Sequence, residues 1–191
     1  MKTIGHHTSD NKGGKKYVIK NVPFYSAYLP NQNKVPYLGA GYYFWDDNIE
    51  MAHIWGKTHY KNNYFIVEGD LKCDDEKIFD LVGNRRHISY FAEILEKFRE
   101  KNYNRDNWEI GKFIEFLKDI EKNDERYTGI FPFKVIKAID NSWQNKQKSF
   151  KFVKSKKGYI YLDPKIMLCF FEKEEVNFYN RKVIEPKRRQ E

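Results

Sequence analysis

Leu38-Gly39-Ala40-Gly41-Tyr42-Tyr43-Phe44-Trp45 is the stretch on which the fold turns. The glycines let the backbone pass close to a neighbour or a ligand, and the aromatic run behind them has the β propensity of a strand. Side chains alternate along a strand, which directs Tyr43 into a cleft where its ring could stack on a flat heterocycle, although packing is the default use of such a ring. Asp46-Asp47-Asn48 follows as a helix cap for Ile49 to Trp55, so strand and helix meet at a tight turn.

Upstream, Lys2 to His7 reads as a strand ending in Gly5-His6-His7-Thr8. Residues two apart lie on one side of a strand, so His6 and Thr8 could grip one sugar hydroxyl pair while His7 faces the other way. Gly13-Gly14 comes next, then Tyr17 to Tyr28, whose apolar spacing fits either strand or helix, and a polar loop from Pro30 to Pro36.

Downstream, Tyr64 to Leu71 reads as a strand, and Asp74-Asp75 as the opening of a short helix through Leu81. Ile88, Phe91, Ala92, Leu95 and Phe98 then follow helical spacing, and Trp108, Phe113, Ile114, Leu117 and Ile120 do so again, which suggests a helical insert over about residues 84–125. Strand texture returns at Phe133 to Ile139, Phe150 to Val153, Tyr159 to Leu162 and Ile166 to Phe171, before a basic end, 181–191, expected to be flexible. The expectation is one α+β domain over 1–191.

Composition narrows the function. Hydrophobic residues make up 40% and aromatics 17%, which is enough for a packed core. Cys73 and Cys169 lie far apart with no CxxC pair, suggesting neither a disulfide framework nor a thiolate zinc site, and a reducing cytoplasm suits them. Met1 to Lys16 is polar and no apolar run approaches a membrane span, so a cytoplasmic chain without a membrane partner is expected. A net charge of +8 and a pI near 9.2 draw the chain toward polyanions, but a Lys- and Asn-enriching base composition would give the same charge.

His-x-Thr followed by Gly-x-Gly-Tyr-Tyr-Phe and a helix carrying Ala52 resembles the ADP-ribosyltransferase superfamily, in particular its His-Tyr-Glu branch with the poly-ADP-ribose polymerase catalytic domains. The resemblance covers residues 2–71 and roughly 132–172. It implies a split β-sheet cleft holding NAD as substrate. His6 would bind ribose with Thr8 as companion hydroxyl, Gly41 would admit the ligand, Tyr43 would stack on nicotinamide, and Trp55 or His53 would form the opposite wall. The segment Tyr159-Ile160-Tyr161-Leu162-Asp163-Pro164 resembles the one that starts with the family's catalytic Glu, yet Gly158 stands where the acid belongs, or Tyr159 if the register slips by one. Such a carboxylate stabilises the cationic sugar of the transition state.

The resemblance thus implies a NAD-dependent mono-ADP-ribosyltransferase, an intracellular bacterial toxin or phage-defence effector whose acceptor is nucleic acid in preference to protein and which a neutralising antitoxin would control. The alternative is a catalytically inactive module of the same fold that binds NAD, ADP-ribose or RNA. A plain basic RNA-binding domain is the third reading. Arg85, Arg86, Lys154, Lys156 and Lys157 could contact phosphates, or simply form solvated loop faces. His53, His59 and His87 lack the partners and spacing of a metal site.

Overall fold

In the computed structural model, residues 1–101, 109–140, 149–155 and 158–186 are described. The chain is α+β. The first strand, β1 (Lys2–Asp10), is longer than its sequence suggests because it pairs along its whole length with β4 (Tyr64–Lys72), from Lys2↔Lys72 to Asp10↔Tyr64. Between them come helix α1 (Gly14–Asn21), the two-residue strand β2 (Tyr25–Ser26), β3 (Gly41–Asp46) and helix α2 (Ile49–Tyr60). The ambiguous segment after Gly14 thus divides, helix first and strand second. Asn48 caps α2 as expected, its side-chain oxygen accepting the Met51 N–H at 2.9 Å.

The acidic pair Asp74-Asp75 opens only a 3-10 turn, Asp75–Lys77, and the residues behind it form strand β5 (Ile78–Asp80). The expected short helix is therefore corrected. Ile78 and Phe79 are buried beside a parallel partner, and that tertiary pairing overrides a local helix signal. Helices α3 (Arg85–Lys101) and α4 (Ile110–Asn123) follow, then β6 (Val135–Ile139), β7 (Ser149–Lys151), β8 (Tyr159–Tyr161), β9 (Ile166–Phe170) and β10 (Asn177–Ile184).

Eight strands make one mixed sheet in the order β10-β4-β1-β3-β9-β6-β5, with β2 paired to β3 off this path, and β7 and β8 form a separate ribbon. The strand β10 corrects the expected flexible end: Arg181–Ile184 belong to it and pair with β4, while 187–191 lie outside the described residues.

One sheet face packs under the helices. Trp45, Ile66, Ile136 and Cys169 from the strands join Ala52 of α2, Phe98 of α3, and Phe113, Ile114 and Leu117 of α4 in one buried cluster. Helices α3 and α4 are therefore part of the main core and not an appendage to it. At about 25 cal/mol per Å² of apolar surface removed from water, side chains of this size make the cluster the dominant favourable term in folding. On the other face, Val18 and Val22 of and after α1 pack on Val67, and Phe44 and Leu168 pack with Leu71 and Phe170.

Candidate functional site

The central sheet forks. Strands β1 and β3 pair only at Gly5↔Asp46 and His6↔Trp45. Beyond these, β1 stays with β4 to Asp10, whereas β3 turns to β2 through Tyr25↔Tyr42 and Ser26↔Gly41. His7 stands in the fork. Its Nδ1–H donates to the Tyr43 carbonyl at 2.8 Å and its Nε2 accepts the Phe24 N–H at 3.2 Å, a pairing that needs the neutral ring. Burial accordingly lowers its pKa from 6.5 to about 4, only partly opposed by the Tyr43 bond.

A cleft of about 900 Å³ opens at this fork, and both His6 and Tyr43 line it. His6 and Thr8 point to the α2 side of β1, as alternation requires: the Thr8 hydroxyl donates to the Ala52 carbonyl at 3.0 Å. Tyr43 shares that side. Its hydroxyl donates to the Gly39 carbonyl at 2.6 Å and accepts the Leu38 N–H at 2.8 Å, so the phenol also fixes the glycine loop that precedes it. Burial, reinforced by the neighbouring Cys169, holds this hydroxyl protonated, far above the ordinary phenol range.

His6 is 3% exposed. Its Nε2 lies 3.2 Å from Oε2 of Glu68, the residue directly across β4, and Lys182 of β10 holds the other carboxylate oxygen at 2.5 Å. Lys182, before His6, keeps Glu68 below the usual carboxylate range. An ionised carboxylate can only accept, which puts an imidazole hydrogen on Nε2 and, in the neutral ring, a lone pair on Nδ1. That Nδ1 is buried with no hydrogen-bond partner among the described residues. A buried ring nitrogen without a partner, on a residue that lines a cleft, marks His6 as a candidate site residue.

The opposite wall is aromatic. Trp55 of α2 stacks on His59 with ring centroids 3.5 Å apart and meets Trp45 and Tyr37 edge-on at 6.2 and 5.9 Å. Lys12 and Lys34 also line the cleft, and Asp10 is the one acidic side chain among its described lining residues. The arrangement can hold a flat ring between aromatic walls, offer cations to an anionic group and accept a hydroxyl proton at His6.

No family model, curated protein or solved structure matches the chain.

Several expected site residues sit elsewhere. His53 is not among the cleft residues; its Nδ1 meets the Tyr64 hydroxyl at 3.0 Å. Gly41 is not in the lining either. A Cβ there would come within 2.5 Å of Cys169 Sγ and the Phe170 carbonyl, so β9, and not a ligand, demands the glycine. Arg85 and Arg86 are exposed on the first turn of α3, and Lys154 is exposed in the turn between β7 and β8, all outside the lining. Lys156 and Lys157 lie outside the described residues. Gly158 and the backbone of Tyr159 belong to the β7–β8 ribbon.

Glu68, Lys182 and Trp45 escaped the sequence reading as site residues. Only the strand register brings Glu68 opposite His6 and Trp45 beside it, and nothing in a linear pattern announces that pairing. Among the described residues no three His, Cys, Asp or Glu side chains are grouped as a metal site requires, and no helix is long and apolar enough to cross a membrane.

Proposed function

We propose that the chain is a NAD-dependent mono-ADP-ribosyltransferase with an ADP-ribosyltransferase-like split sheet, acting inside the cell as a toxin or phage-defence effector on a macromolecular acceptor. The observation that carries the reading is the convergence of His6 and Tyr43 on one cleft from the two strands that part at the fork. His6 Nδ1 would accept a ribose hydroxyl, Tyr43 and Trp55 would bracket nicotinamide, and Lys12 and Lys34 would face the diphosphate. In the reaction the bond between ribose C1′ and the nicotinamide nitrogen breaks, nicotinamide leaves with the electron pair, and the acceptor's lone pair closes on C1′ as its proton passes to a base.

Because Gly158 lies on the ribbon, Asp10 would be the carboxylate that the cleft lining itself offers this chemistry, set on the His6 and Thr8 side of β1 by the alternation of the strand. The same displacement favours a second reading, a module that binds NAD or ADP-ribose without turnover. Incubation of purified protein with NAD decides between them. Nicotinamide release that falls at least a hundred-fold, about 3 kcal/mol, in His6→Ala and Tyr43→Ala, and that Asp10→Asn also lowers, supports the enzyme. Binding of NAD with no release by the parent supports the module, and no interaction at all discards both.

A further inference from the structure

Helix α4 reaches the cleft without lining it. Gly111, Ile114, Glu115 and Lys118 are spaced three and four apart and so share one face of the helix. That face meets the turn 36–40. A Cβ at Gly111 would overlap the Pro36 carbonyl oxygen, and one at Gly39 would come within 3.3 Å of Ile114 and 2.6 Å of Glu115 Oε1. Glu115 Oε1 accepts the N–H of the buried Ala40 at 2.8 Å. The Lys118 ammonium, 4.6 Å from the centroid of the Phe171 ring, donates to the same oxygen at 2.7 Å. An ionised acceptor makes a stronger hydrogen bond than a neutral one, and the neighbouring cation holds it in place.

The turn held in this way carries rings of both cleft walls. The Gly39 N–H donates to the Pro36 carbonyl at 3.1 Å, and the Tyr43 hydroxyl accepts the Leu38 N–H while donating to the Gly39 carbonyl. Tyr37, within the same turn, meets the Trp55 ring edge-on. Pro36, Tyr37, Tyr43 and Trp55 line the cleft, whereas Glu115 is not among its lining residues. Leu38 and Ala40 are buried, and a buried N–H that loses its acceptor is costly enough to shift the turn that bears it. Helix α4 lies outside both stretches that resemble the ADP-ribosyltransferases.

We propose that Glu115 is a positioning residue of the cleft: it fixes the turn 36–40 and, through that turn, the rings of Tyr37 and Tyr43. Its hold on the turn is independent of what the cleft binds; its effect on NAD rests on the transferase reading.

Amide hydrogen exchange in the full chain, followed by NMR, reads the turn directly, with the buried Ile66 and Val67 amides of β4 as internal reference. Glu115→Ala speeds exchange at Leu38, Gly39 and Ala40 at least about ten-fold relative to that reference, the effect of losing a hydrogen bond to a charged group. Glu115→Gln, whose amide oxygen still accepts, keeps the protection. Phe98→Leu, which thins the packing of α3 on Phe116 and Tyr127, lowers the unfolding midpoint and leaves the ratio unchanged. In calorimetric titration, Kd for NAD rises at least about ten-fold in Glu115→Ala and is unchanged in Glu115→Gln. Faster exchange confined to Ala40, equal losses in the Gln and Ala variants, a selective change in Phe98→Leu, or a turn that loosens without weakening NAD would each overturn the proposal. A parent that binds no NAD removes the transferase reading, and exchange at Leu38 and Gly39 then decides the role of Glu115 by itself.

Discussion

His6 and Glu68 stand directly opposite each other across the β1–β4 ladder, with Nε2 and Oε2 3.2 Å apart. Glu68 thereby selects Nε2 as the nitrogen that carries the hydrogen of the neutral ring. Glu68→Ala removes the acceptor and lets the ring exchange tautomers, so on the transferase reading proposed above kcat/KM for NAD falls about ten- to a hundred-fold, the worth of a hydrogen bond to a charged group. Glu68→Gln can still accept through its amide oxygen and retains most of the activity. Steady-state nicotinamide release in the two variants checks this, and equal losses in both would show that charge, not tautomer, is what Glu68 supplies.

His7 makes stability depend on pH. Its pKa is about 4 in the folded chain against 6.5 unperturbed, so the unfolded chain binds more protons between these values. Stability from the neutral ring is then fully present above about pH 6.5 and is lost as pH falls toward 4, by about 3 kcal/mol in all. Urea unfolding at intervals from pH 7 to pH 4 measures the slope. His7→Gln, which has no proton to gain, flattens it over that window.

Gly41→Ala destabilises the fold by about 2–3 kcal/mol, the cost of overpacking against backbone, since the new methyl meets both Cys169 Sγ and the Phe170 carbonyl at 2.5 Å. Gly158→Ala serves as the control: among the described residues its methyl would touch only the Phe152 ring, at an ordinary 3.5 Å, and its unfolding midpoint stays put. A neutral Gly41→Ala would mean that β3 and β9 can separate.

What could be read in advance was local. The period of Ile88 to Phe98, the Asn48 cap and the glycines before Tyr42 each express a preference carried within a few residues, and each lies where the pattern puts it. His6 and Thr8 share a side of β1 for the same reason. What stayed hidden depends on strand neighbours. The short strand Ile78–Asp80 exists because β6 lies beside it, Arg181–Ile184 are ordered because β4 offers them an edge, and Glu68 reaches His6 only through register. His53 has helical neighbours that point it toward either wall in sequence, and only the position of Tyr64 settles which.

The parting of β1 from β3 has a mechanical consequence. A gap between two strands of one sheet is a wedge whose angle is set at its apex, by the two rungs at Gly5 and His6 and the imidazole behind them. Lengthening the loop from Pro30 to Pro36 would deepen the entrance and leave that angle alone. Any guest seated there would be limited in thickness by those two rungs, while the loop outside them could vary without changing that limit.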